Sequence, residues 1–152
     1  MRFTNPADYA TMLKINTELI NTVVDIPVVL YKVQQELSET NSYGEATKKT
    51  WYKGVSIPCL MKREQQTTNS DENMRTINVE QPSEFYFLRQ ALDQRSIYPE
   101  IGDIIWFDQQ YYEIDNTNEI QLWAGRVEYN HSVTCVTHLT RKSNLQLEPP
   151  QL

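Results

Sequence analysis

Between residues 9 and 23 the apolar positions Tyr9, Met12, Leu13, Leu19, Ile20 and Val23 recur at three- and four-residue spacing, with Asn16 as a gap. That stripe predicts an amphipathic helix lying on something. Asn5 can cap it, Pro6 suits its first turn, and Asp8 meets the positive end of its dipole. The helix should stop near Asp25, ahead of Pro27. The period then changes. Residues 26–33, IPVVLYKV, are apolar on both phases, which predicts a strand with a contact on each face. In GVSIPCLMKR, Val55, Ile57, Cys59 and Met61 alternate with Ser56, Pro58, Leu60 and Lys62. Pro58 cannot donate to a ladder, so this strand should be an edge or carry a bulge there. MRTINVEQ resumes with Ile77 and Val79, and the two runs predict a long hairpin around a polar tip at 65–73.

Residues 82–96 predict a short second helix carrying Phe85, Leu88 and Leu92, although the aromatic triplet Phe85-Tyr86-Phe87 equally suits a strand. Pro99 and Gly102 mark a turn into an aromatic hairpin. There Ile104 and Trp106 share one face, Ile105 and Phe107 the other, and Asp108-Gln109-Gln110 turns the chain into Tyr111–Ile114. IQLWA and SVTCVTHLT complete the strand set, the last with Val133, Cys135, Thr137 and Leu139 toward the core and His138 on the wetter face. Residues 34–51 are polar and longer than an ordinary connection, which points to a functional or partner-ordered loop. The order predicts a mainly β (α+β) fold: a small twisted sheet or partly open SH3/OB-like β-barrel with an N-terminal helix, one short helix and an extended loop. One β-rich domain spans 1–140, and 141–152, with Pro149 and Pro150, forms an extended C-terminal arm.

Composition narrows the function. Net charge is −6 and the sequence pI is about 4.9, against the basic surface that drives tight nucleic-acid binding. No apolar run approaches transmembrane length and no secretory leader opens the chain, so a membrane role is not expected. GxSxG, P-loop, GxGxxG and HExxH patterns are absent from the sequence. His131 and His138 lie an odd number of residues apart on one predicted strand, hence on opposite faces, and the same parity separates Cys135 from His138. Cys59 and Cys135 fall on apolar phases and are read as buried reduced thiols. Asp103 with Asp108, and Glu113 with Asp115, are read as solvated turn and strand-end residues, although Glu113 and Asp115 share a strand face where a cation could sit. No enzyme activity, cofactor or metal is expected. Lys48, Lys49 and Lys53, interleaved with Trp51 and Tyr52, form the one stretch suited to single-stranded nucleic acid.

Three blocks, YGEATKKTWYKGVSIPCLMKRE (43–64), PEIGDIIWFDQQYYEID (99–115) and HLTRKSNLQLE (138–148), resemble in their order the neck proteins of contractile-tailed bacteriophages, the head-completion or head-to-tail connector family. The chain lacks the extensions of longer family members, which leaves its ring neighbours open. The resemblance implies a structural protein of the virion neck, assembled in the host cytoplasm as a homo-oligomeric ring taken as hexameric. The ring would lie between a portal or adaptor protein and a tail terminator protein, with genomic DNA only as passing cargo. It implies subunit contacts through the loop at Tyr43, Gly44, Glu45, Lys48, Lys49 and Trp51, through Trp106 and Tyr112 of the hairpin, and through Arg141 and Asn144 of the arm. Alternatives are a tail-terminator or baseplate component, and a small SH3/OB-like nucleic-acid-binding domain using Lys48, Lys49, Trp51 and Lys53.

Overall fold

The structure, a computed structural model, describes residues 5–34, 39–40, 46–64, 67–71, 76–80, 82–119, 122–141, 145, 147 and 150; for 39–40, 46–48, 67–71 and 76–80 it describes the backbone alone. Helix α1 (Pro6–Glu18) starts as the sequence predicts: the Asn5 side chain accepts from the Ala7 N–H at 3.3 Å, and Pro6 and Asp8 fill the first turn. From Leu19 to Val24 the winding widens into π-helical turns, closed by Asp25, whose φ is 42°. Wider turns advance each residue by a smaller angle, so the stripe set by the first turns loses its phase. The expected inward stripe is therefore realised only in part, through half-buried Tyr9, Met12 and Leu13. Ile20 is buried, but Leu19 and Val23 face outward with Ile15.

Seven antiparallel strands form the main sheet: β1 (Pro27–Tyr31), β4 (Val55–Pro58), β5 (Leu60–Arg63), β8 (Ser83–Leu88), β9 (Ile104–Phe107), β10 (Gln110–Asn118) and β11 (Ser132–Thr140). Their order across the sheet is β4-β1-β9-β10-β11-β8-β5. The two edge strands are consecutive in the chain and separated only by Cys59. Laid flat, seven strands would put those edges roughly 29 Å apart at about 4.8 Å per step. A single residue spans them, so the sheet must curl, yet no ladder joins β4 to β5 and the sheet stays open. This is the twisted α+β sheet the pattern predicts. Pro58 ends an edge strand, as expected of a residue without an N–H.

Curling creates two apolar faces. The inner one gathers Val28, Leu30, Ile57, Cys59, Phe85, Phe87, Ile105, Tyr112, Ile114, Val133 and Cys135, with Leu92 from helix α2 (Arg89–Gln94). Phe85 sits edge-on to Tyr112 at 5.4 Å and to Phe107 at 6.2 Å. The outer face holds Val29, Tyr31, Ile104 and Tyr111, overlaid by Trp51, Trp106, Leu145 and Leu147. Strand β1 supplies both faces, which is why its sequence is apolar on both phases. Leu145 and Leu147, within the predicted arm, thus lie against the chain's own sheet.

Five expectations are corrected. Leu139, expected toward the core with Val133, Cys135 and Thr137, is 47% exposed near the end of β11. Residues 83–88 form a strand, because Phe85 and Phe87 alternate with Glu84 and Tyr86, and only Arg89–Gln94 is helical. Residues 60–63 accordingly pair with β8, and the predicted hairpin continues beyond the sheet as β6 (Thr67–Asp71) on β7 (Thr76–Glu80). IQLWA, residues 120–124, was expected as a strand, but Trp123–Gly125 is a single tight turn with Ala124 at φ 53°. The long polar stretch contains its own short backbone pair, β2 (Glu39–Thr40) on β3 (Ala46–Lys48).

Two turns follow their residues closely. Gly102, at φ 90°, sends its N–H to Ile114 O at 2.8 Å. Asp108 and Gln109, at φ 49° and 62°, make the two-residue turn of β9–β10, whose left-handed pair matches the twist of the strands.

Candidate functional site

Among the described residues, the cysteines, histidines and paired carboxylates of the sequence are not brought together in one place. Cys59 and Cys135 are buried and unpaired, and burial first of all pushes both thiols up to about 12, far from a reactive thiolate. His138 is exposed on the outer face of β11 and pairs with Asp115 at 2.7 Å, while half-buried His131 precedes the strand. The carboxylate pair at 113 and 115 is split by a bulge in β10 between Ile114 and Asn116. Glu113 takes Lys49 at 3.0 Å and Asp115 takes His138. Among the described residues no cluster of three or more potential ligands could hold a metal ion, and no helix is long and apolar enough to cross a membrane.

Asp103 corrects the reading of solvated turn acids. It is buried, accepts the Val33 N–H at 3.0 Å and the Glu100 N–H at 2.8 Å, and lies 3.7 Å from the Lys32 ammonium. Lys32 also donates to Tyr98 O at 2.6 Å and meets Glu100 at 3.1 Å. Burial raises the Asp103 pKa, against the two N–H bonds and Lys32 that lower it. The carboxylate ties the end of β1 to the turn before β9, so its role is structural. Asp108, in contrast, is exposed 3.8 Å from Arg63.

Incomplete packing singles out two surfaces. Of six buried side-chain polar atoms without a partner among the described residues, three (Trp123 Nε1, Asn130 Oδ1 and His131 Nδ1) lie around α1 and two (Trp51 Nε1 and Tyr111 Oη) on the outer face of the sheet. An unsatisfied buried group costs about 1–3 kcal/mol, so such atoms mark where water or another chain must supply a partner.

The first surface is the seat of the N-terminal helix. Tyr9 stacks on Tyr129 at 4.3 Å, Thr17 reaches Gln90 at 3.3 Å, and Ile20 is buried. A groove of about 790 Å³ nevertheless runs between α1 and α2, floored by Asn130 and His131. A second of about 540 Å³ separates Leu19 and Ile20 from Leu60, Met61 and Phe87. Asn130 is held by Glu119 at 2.6 Å, which also meets Arg89 at 3.5 Å and accepts from the Tyr98 hydroxyl. On the outward side Ile15, Leu19 and Val23 are 59%, 44% and 71% exposed, one row along the helix.

The second surface is the strip 49–54 laid along the outer face. Trp51 bridges to Val33, the Tyr52 N–H donates to Lys32 O at 2.9 Å, and Lys49 stands 6.0 Å over the Trp51 ring. Gly54 makes this approach possible: a Cβ there would meet Val29 Cγ1 at 2.5 Å and the Tyr31 ring at 2.8 Å. Tyr52 is half-exposed and Lys53 exposed. Burial, and then Tyr111, raises the Tyr31 hydroxyl pKa, and burial raises that of Tyr111.

Of the residues expected at subunit contacts, Lys49, Trp51 and Trp106 come together on this second surface, and Lys48 leads into it on β3. Tyr112 does not. It lies on the inner face, buried, with its hydroxyl between Arg63 and Gln110, because it is one residue out of phase with outward Tyr111. Arg141 is exposed just after β11, while Tyr43, Gly44, Glu45 and Asn144 fall outside the described residues. The sequence reading missed the outward row on α1. Its signal was there in Ile15, an apolar residue off the stripe taken to face inward.

No protein family profile matches the chain, and no curated protein sequence matches it. Among solved structures, a chain from the virion of a native gene transfer agent (GTA) particle is similar at 11% identity. The match covers 74% of this chain and 90% of that one, with a TM-score of 0.47. A likeness at that level says nothing about what this chain does.

Proposed function

We propose that this chain is a non-enzymatic structural protein of a tailed-bacteriophage virion. In this reading it forms a homo-oligomeric ring, hexameric by the resemblance, in the neck between the portal or adaptor and the tail terminator. The observation that carries the reading is the pair of unfinished surfaces, one at the N-terminal helix and one on the outer face of the sheet. A subunit that is completed by neighbours leaves apolar rows and unpartnered polar atoms at two separate places. The resemblance of three sequence blocks to neck proteins suggests the kind of assembly, and two of those blocks contribute Trp51, Ile104, Trp106 and Tyr111 to the outer face.

An acidic subunit also suits a conduit, where DNA must slide instead of sticking; the net charge is −6. Particles made without the protein and viewed by electron microscopy test the reading. DNA-filled heads lacking tails are the expected result, and complete infectious particles would refute it.

The nucleic-acid reading is disfavoured by Lys49, which is engaged with Glu113, and by Trp51, which is laid onto the sheet instead of standing free for a base. A binding isotherm discriminates: a true binder loses single-stranded DNA steeply as salt rises, whereas little binding at any salt is expected here.

A further inference from the structure

The ring reading leaves open which surfaces meet, and the charges on the two unfinished ones bear on that question. Over residues 5–25 the helical surface carries Asp8, Glu18 and Asp25 against Lys14 alone. Asp8, Glu18 and Asp25 are all exposed, and Glu18 adjoins the outward row of Ile15, Leu19 and Val23. The strip over residues 46–54 is opposite in sign in sequence, with three lysines and no acid; Lys49 is paired with Glu113, so its exposed cation is Lys53. Its exposed side chains, Tyr52 and Lys53, pair an aromatic face with a cation, as the helix pairs an apolar row with a carboxylate.

The helix is seated beside β5 and β8, while the strip lies over β1 and near β9, toward the other edge of the sheet. Two such helices meeting face to face would bring together two surfaces of the same net charge, a like-charge arrangement that costs affinity. Helix against strip is complementary, and a contact between unlike surfaces propagates head to tail and closes into a ring when its rotation allows.

Resting on the ring reading, we propose that the N-terminal helix of one copy docks through Ile15, Leu19, Val23 and Glu18 onto the Trp51–Lys53 strip of the next copy. Aliphatic side chains of the row cover Tyr52, and Glu18 meets Lys53 at the rim of the contact. The grooves beneath α1 let the helix settle as it docks, because only Ile20 anchors its far end in the core.

The test is sedimentation of the full-length chain over a concentration series, comparing the wild type with Leu19→Asp, Glu18→Lys, Lys53→Glu and the Glu18→Lys/Lys53→Glu double variant. All three positions are surface sites, and circular dichroism melts confirm that each variant folds. Leu19→Asp should weaken self-association at least ~10-fold, and each single charge reversal by roughly 3- to 10-fold. The double reversal should return to within about 3-fold of wild type, since the pair is attractive again with its signs exchanged. Association that survives Leu19→Asp, or a double variant no better than either single one, overturns this pairing of surfaces and leaves the ring reading standing. A wild-type chain that stays monomeric and is absent from particles overturns both.

Discussion

The inner face of the sheet and the seat of the N-terminal helix are built from similar residue types to opposite standards. Inside the curl, Val28, Leu30, Ile57, Phe85, Ile105 and Val133 are fully sealed. Around α1, by contrast, the helix buries only Ile20 among its described residues, is flanked by grooves, and leaves polar atoms of Trp123, Asn130 and His131 without a partner among the described residues. The difference teaches where stability resides. Strand pairing and the inner core hold this fold, and the helix is carried on it with only Ile20 fully buried among its described residues. Native interiors fill to crystal-like density, so under-filled ground next to an exposed apolar row is where a second chain is expected.

The comparison breaks most decisively through a change inside the curl. Phe85→Ala removes a fully buried ring that touches Tyr112 and Phe107 and should cost about 3–5 kcal/mol, read as a fall in the denaturation midpoint. If it costs under about 1 kcal/mol, the inner face is not the seat of stability. Next in size is Asp103→Ala, which strands the Val33 and Glu100 N–H groups and should cost about 2–4 kcal/mol. Its pH signature has a definite sign. The folded pKa lies above the unfolded one, so the contribution of Asp103 is fully present below the unfolded value and is lost as pH rises through the folded value. The difference in stability between wild type and Asp103→Ala should therefore shrink across that window as pH rises; a difference that grows would contradict the burial argument.

Smaller effects sharpen the outer surface and the helix. Gly54→Ala drives a methyl into Val29 and Tyr31 and should cost about 1–3 kcal/mol in thermal or chemical unfolding. Gly102→Val meets no neighbour within 4 Å but forces a β-branched residue to φ 90°, for about 1–2 kcal/mol. Ile15→Ser, on the helix row, should leave monomer stability within about 0.5 kcal/mol. A large loss there would mean that α1 is part of the core.

Much of the fold was legible because alternation is strict where the sheet is buried. Val55, Ile57, Cys59 and Met61 do share the inner face, Ile104 and Trp106 oppose Ile105 and Phe107, and β1 does touch both sides. Partner choice was not legible. Nothing local says that the run through Cys59 serves two opposite edges of one sheet, since curling is a property of all seven strands together. Residues 83–88 went astray because three-residue spacing of Phe85 and Leu88 imitates a helix, while cross-strand pairing with β5 and β11 decides for a strand. The phase slip at Leu19 hid that Leu19 and Val23 join Ile15 in an outward row, since π-helical turns leave no compositional mark. At the candidate surfaces, Lys49, Trp51 and Trp106 were legible as a group, whereas Asn130 and His131 matter only through partners they lack, and an absence is not written in a sequence.

The central claim is that this chain is one of several identical subunits completed by their neighbours within a particle. Quantitative mass spectrometry of purified particles, counted against a portal protein of known copy number, tests it most directly. The account predicts that the chain is present at a fixed ring-like stoichiometry, a small whole multiple per particle. Its absence from intact particles would contradict the account.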